Sequence, residues 1–195
     1  MKISHLILLV GLSVSQTILS NVSLVSQKSD SLNTKLALKA EYFGELLLHP
    51  GVSIGVEYTV FERKKLNIHW DDEFGGYWHR WNNSSLFLKT SVGMRCYIKS
   101  KFVDVKVGIG YLHNWVSGSM YGFSSEKEVT KIANLGRAQF IPHVSIAYGL
   151  DNSKRNDRPW LFHFGPEIYW QYPTNHIFIP HVAFKAGFTY KLNQK

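Results

Sequence analysis

The sequence predicts an all-β chain, an eight-stranded antiparallel up-and-down transmembrane β-barrel. Three observations carry that reading: the side-chain alternation, the composition, and the way connections of different length alternate along the chain. Alternation is cleanest near the end. From Trp160 to Tyr172 one face reads Trp160, Phe162, Phe164, Pro166, Ile168, Trp170 and Tyr172, and the other Leu161, His163, Gly165, Glu167, Tyr169 and Gln171. From Phe178 to Leu192 the apolar face is Phe178, Pro180, Val182, Phe184, Ala186, Phe188, Tyr190 and Leu192. A period of two is a strand, and Pro173-Thr174-Asn175-His176 makes the turn between the pair. Both segments exceed the usual five or six residues of a soluble strand. They suit the roughly 9–11 tilted residues of a membrane strand, apolar outside and polar inside, with rings at both ends.

Composition points the same way. Of 195 residues, 45 % are hydrophobic, 14 % aromatic and only 18 % charged, which is low in charge and rich in rings for a soluble domain. No apolar run is long enough for a transmembrane helix, so a membrane protein of this sequence has to be a closed barrel. A soluble lipocalin-like barrel or sandwich is the alternative, since its strands alternate too, with the apolar side inward. The single cysteine, Cys96, excludes an internal disulfide and falls on an apolar face as a small hydrophobe. A net charge of +8 fits either nucleic acid or a membrane surface. No nucleic-acid signature accompanies it, so no nucleic-acid partner is expected.

In chain order, Met1-Lys2, the apolar Leu6–Leu12 and a Ser-rich stretch have the form of a secretory signal peptide over residues 1–27, with its cleavage site open. Residues 28–35 form a flexible lead-in, and 36–192 the barrel. The first strand sets Leu36, Leu38, Ala40 and Tyr42 against Lys39, Glu41 and Phe43. The second sets Val52, Ile54, Val56, Tyr58 and Val60 against Ser53, Gly55, Glu57 and Thr59. The third starts at Leu66, Ile68 and Trp70 and dissolves into a loop over 71–85. The fourth sets Leu86, Leu88, Val92, Met94, Cys96 and Ile98 against Lys89, Ser91, Gly93, Arg95 and Tyr97. The fifth sets Val103, Val105, Val107, Ile109, Tyr111 and Trp115 against Asp104, Lys106, Gly108, Gly110 and Asn114. The sixth sets Ala138, Phe140, Pro142, Val144, Ile146, Tyr148 and Leu150 against Arg137, Gln139, His143, Ser145 and Ala147. With the two segments above the total is eight, an even number. Because proline removes a ladder donor, bulges or rim positions are expected at Pro142, Pro166 and Pro180.

The connections supply the third observation. Those after strands two, four and six, Glu62–Lys65, Lys99–Lys101 and Asp151–Arg158, are short and basic, whereas the two longest, 71–85 and 117–134, lie on the opposite side. Short turns on one rim and long loops on the other are the outer-membrane arrangement, with short turns and both termini periplasmic. Basic turns then face inner-leaflet headgroups. Trp70, Trp115, Trp170 and Tyr172 are placed at outer strand ends, and Phe102, Tyr148, Trp160 and Tyr190 at inner ends.

Through Leu46–Val52, Val107–His113, Ile168–Pro173 and the ending Ala186–Leu192, the sequence resembles the small eight-stranded outer-membrane β-barrel proteins of Gram-negative bacteria, over residues 36–192. The resemblance implies fold and location, with outer-membrane lipids, lipopolysaccharide and the barrel-assembly machinery as partners, and brings no catalytic motif. Such chains often end on an aromatic residue, whereas here Tyr190 is followed by five more residues.

An eight-stranded barrel is wide enough only for its own side chains, so a structural or surface-interaction role is expected, not an open pore. A monomer with no cofactor or metal is expected. A lipid-A-modifying or lipolytic enzyme on the same barrel is the alternative, drawing on His113 with Ser117 and Ser119, or His79 with Ser84 and Ser85. His69, Asp71, Asp72, Glu73 and His79 offer metal-ligand types but read equally as a hydrated loop tip. Phe74, Tyr77, Trp78 and Trp81 are candidate loop binding residues, exposed rings among acids. Inside, a lumenal polar cluster is expected from His143, Glu167, His181, Arg95, Asp104 and Lys185. Arg95 should meet Asp104 across the tight turn. Counting back from turns near 154–155 and 174–175 puts Glu167 between His143 and His181.

Overall fold

The computed structural model describes residues 36–45, 49–79, 83–118, 120–123, 129–132, 134–156, 158–174 and 177–192. The expected signal segment, the lead-in, Trp81 and Ser119 lie outside them. In chain order the strands are β1 (Leu36–Glu45), β2 (His49–Arg63), β3 (Leu66–Trp78), β4 (Asn83–Ile98), β5 (Lys101–Val116), β6 (Met120–Phe123), β7 (Val129–Ile132), β8 (Arg137–Phe140), β9 (His143–Asp151), β10 (Trp160–Thr174) and β11 (Ile177–Lys191). One short helix, α1 (Ser153–Asn156), follows β9. Among the described residues no helix is long and apolar enough to cross a membrane.

β1 to β5 pair antiparallel in sequence order, β8 and β9 together lie between β5 and β10, and β11 closes the ring on β1 from Ala37↔Lys191 to Glu45↔Ala183. Counting β8 and β9 as one interrupted stave gives the expected eight. β6 and β7 form a separate hairpin within the long connection that the sequence presents as a loop.

The pleat settles which side is in. Along β4, Ser85, Phe87, Lys89, Ser91, Gly93, Arg95 and Tyr97 are buried, while Leu86, Leu88, Val92, Met94, Cys96 and Ile98 are exposed. On the outer wall Phe164, Ile168, Val182, Val144 and Val107 are exposed and Phe184 is half-buried, whereas Glu167 and Lys185 are buried. A soluble barrel has the reverse polarity, so the lipocalin-like alternative falls.

Four expectations need correcting. The third strand does not dissolve at residue 71 but runs unbroken to Trp78, paired with β2 and β4 throughout. Trp70 therefore stands partway along it, not at its outer end. Phe102 points inward and is buried. Register shifts fall at Val60 and between Gln171 and Thr174, not at the three prolines. At Pro142 the strand is interrupted, yet the ladder continues, because Ile141 N donates to Gly110 O and Trp170 N to Pro142 O. A proline lacks only its own N–H, so one bond of the pair survives.

Candidate functional site: the lumen and its mouth

The inward faces of the eight staves fill the barrel with layers. Near the short-turn end, Tyr97, Phe102 and Leu161 form an apolar seal, with Tyr97 and Phe102 rings 5.7 Å apart. Towards the long-connection end Phe43, Tyr77, Phe87, Leu112, Ile141, Tyr169 and Ala183 form a larger one, organised on Phe43, whose ring lies 4.9 Å from Phe87 and 5.9 Å from Tyr77. Between the seals lies a charged column.

The column is built by register. Arg95 and Asp104 are direct cross-strand partners, as the tight turn after β4 demands. The guanidinium reaches Asp104 Oδ2 from Nε at 3.1 Å and Nη2 at 2.8 Å, and grips Glu57 with Nη1 at 2.9 Å and Nη2 at 2.6 Å. Its plane also covers Phe102 at 4.8 Å. Next come Asp71, joined to Lys39 at 2.6 Å and Lys106 at 2.5 Å, and Lys185, which reaches Glu73 at 2.6 Å, Glu41 at 2.9 Å and Glu167 at 3.3 Å. Glu167 also holds Lys89, whose ammonium caps the Phe43 and Phe87 rings at 4.4 and 4.1 Å.

Among the described residues five buried cations, Lys39, Lys89, Arg95, Lys106 and Lys185, face eight buried carboxylates. Further nitrogens meet the surplus: His163 contacts Glu41 at 2.6 Å, Lys191 contacts Asp151 at 2.8 Å, and His49 and His181 contact Glu45. Buried charges persist in this way only when paired.

Of the predicted lumenal residues, Arg95 with Asp104 and Glu167 with Lys185 come together. The histidine clamp on Glu167 does not form. His143 and His181 both stand opposite Tyr169, while Glu167 stands opposite Ser145 and Ala183. Two connections set this: α1 follows β9 and the β9–β10 ladder closes at Asp151↔Leu161, which moves His143 away from Glu167, while the β10–β11 ladder, with its shift between Gln171 and Thr174, sets Glu167 against Ala183 and His181 against Tyr169.

A carboxylate between two imidazoles does exist, at Glu45 near the mouth. Its Oε1 lies 2.8 Å from His181 Nδ1, its Oε2 contacts His49 Nδ1, and Tyr169 donates to Oε1 at 3.3 Å. His79 packs edge-on against His49 with ring centres 3.8 Å apart. Sequence reasoning left Glu45 out, read His69, Asp71 and Glu73 as a loop and not as lumenal residues, and put His163 on the polar face without a partner. Continuing the first strand's alternation two residues past Phe43 would have found Glu45.

The loop and chemical candidates separate. In β3, Tyr77 is buried in the upper seal, whereas Phe74 and Trp78 face outward and are exposed. His69, Asp71 and Glu73 point inward and Asp72 outward, so they do not form one metal site. His69, Glu57 and Asp104 do lie within mutual reach, but the same carboxylate oxygens already take Arg95. His69 is tolerated because Gly93 opposite it has no side chain; a Cβ there would overlap the imidazole. His113 has both ring nitrogens engaged, Nδ1 with the Tyr111 hydroxyl at 2.9 Å and Nε2 with Leu135 O at 3.0 Å, which leaves neither for a serine.

No family model and no curated protein sequence matches the chain. Among solved structures, Neisserial surface protein A superposes with a TM-score of 0.56 at 7 % identity, over 84 % of this chain and 100 % of that one. The outer-membrane enzyme PagL gives 0.49 at 12 % identity over 79 % and 98 %. The N-terminal barrel domain of Pseudomonas aeruginosa OprF gives 0.47 at 8 % over 81 % and 97 %. The likeness to Neisserial surface protein A is one of fold, and it agrees with the pleat and the ring closure: this chain is built as an eight-stranded antiparallel β-barrel of the outer-membrane kind.

Proposed function

We propose that the chain is a bacterial outer-membrane protein whose closed barrel carries its longer connections at the cell surface, in a structural or surface-interaction role and not as an open pore. The observation that supports this most directly is the filled lumen, two apolar seals enclosing a charged column whose ions pair with one another. The apolar outer wall fits hydrocarbon. In this reading the short basic turns and both chain ends are periplasmic, and the β6–β7 hairpin and the outer end of β3, with Trp78, form the surface. Outer-membrane lipids, lipopolysaccharide and the assembly machinery are then its immediate partners.

Two measurements test it together. The purified chain should migrate faster unheated than boiled on a gel and fractionate with outer membranes. Reconstituted in a planar bilayer, it should give no stepwise conductance. Stable unitary currents from the folded protein would overturn the closed-barrel reading.

A further inference from the structure

Among the outward positions of the described strands, Asp72 is the one charged side chain away from a strand end; Arg63 closes β2 and Lys101 opens β5. Asp72 is the seventh of the thirteen residues of β3, so it stands at mid-height of the apolar wall. Its cross-strand neighbours are Val56 and Thr90, and exposed Phe74, Leu88 and Val92 surround it. Oδ1 accepts from Trp70 Nε1 at 3.1 Å and from Thr90 Oγ1 at 2.6 Å. No described residue donates to Oδ2. Directly above lies a cleft of about 630 Å³ bordered by Val52, Ile54, Phe74, Gly76, Trp78 and Leu86.

An ionisable group facing the membrane interior marks a functional contact, and the partner has to be something that reaches that depth. Acyl chains carry no donor. A second copy of this chain offers, among its described residues, no basic side chain on its outer wall between the rims. We propose that the β2–β4 face is an interface for a different membrane-spanning protein, one that sets a Lys or Arg side chain against Asp72 and a bulky apolar side chain into the Gly76 cleft. Trp70 and Thr90 aim the carboxylate: by taking Oδ1 they turn Oδ2 towards the partner.

This inference rests on the membrane reading above, and the two fail separately. The test uses the full chain in its own bacterium with a photo-crosslinking residue at Leu88, and a control at Ile168 on β10. Leu88 should capture a membrane protein that Ile168 does not, and Asp72→Asn should lower the yield about tenfold while heat-modifiable migration is unchanged. Asp72→Lys should abolish capture, and replacing the partner's basic residue by Asp in that background should restore it. If Asp72→Asn disturbs folding, Asp72→Leu takes its place. Capture of lipid alone, of a second copy, or of a partner indifferent to residue 72 would overturn the proposal. A chain absent from the outer-membrane fraction would instead overturn the membrane reading.

Discussion

The inside and the outside of this barrel handle charge in opposite ways. In the lumen a carboxylate is always within reach of a cation or an imidazole, and several cations serve two or three carboxylates. On the outer wall Asp72 has only the dipoles of a Trp and a Thr. A charge shut between apolar seals has no water to fall back on and must be compensated from within the fold. A charge on the outer wall can be compensated from outside it. The difference therefore separates what the chain does for its own stability from what it leaves open for something else.

The comparison breaks most easily at Arg95. Arg95→Met strands Glu57 and Asp104 together, and should cost about 3–5 kcal/mol of unfolding free energy in lipid vesicles. Adding Glu57→Gln and Asp104→Asn should recover most of it. An unchanged urea midpoint for the single variant would mean the column is not holding the barrel. Glu167→Gln removes a charge but keeps an acceptor, and Lys185 retains Glu41 and Glu73, so the loss should be smaller, about 2 kcal/mol and felt mainly through Lys89. If that variant matches Arg95→Met, the ions act as one indivisible network and not as pairs. Gly93→Ala pushes a methyl against His69 and should cost about 1 kcal/mol, relieved when His69→Ala is combined with it. Equal losses with and without the histidine would place the strain in the backbone instead. Smallest of all is Asp72→Leu, which should leave stability in vesicles unchanged or raised. A clear loss there would make Asp72 a structural residue and erase the contrast between the two sides.

Much of this was legible in the sequence. The strand count, the inward and outward sets and the Arg95–Asp104 pair followed from period-two alternation and one tight turn, where register leaves little freedom. β3 was not legible, for a physical reason. Alternation is recognised when one face is wholly apolar, and Asp72 breaks that face just where Asp71 and Glu73 crowd the other, so three consecutive polar residues imitate a loop. Losing β3 hid part of the column, since His69, Asp71 and Glu73 are on its inward face. The Glu167 clamp failed differently. Neither a helical turn after β9 nor the irregularity between Gln171 and Thr174 can be counted from composition, and a shift of a few residues gives every side chain new neighbours.

The column also straddles the place where the ring closes. β1 and β11 lie at the two ends of the barrel sequence, and Lys185 to Glu41, His163 to Glu41 and His181 to Glu45 all tie β1 to β10 or β11. Until those strands meet, Glu41 lacks Lys185 and His163 and Glu45 lacks His181, contacts that span more than a hundred residues of chain. Such distant contacts are the slowest to form. An open sheet of seven or eight strands thus gains little by waiting in hydrocarbon, because its last hydrogen-bonded edge and its partly compensated ions are resolved by one event. Folding of this chain should end in a single concerted snap, with the seam behaving as a latch and not as a zipper.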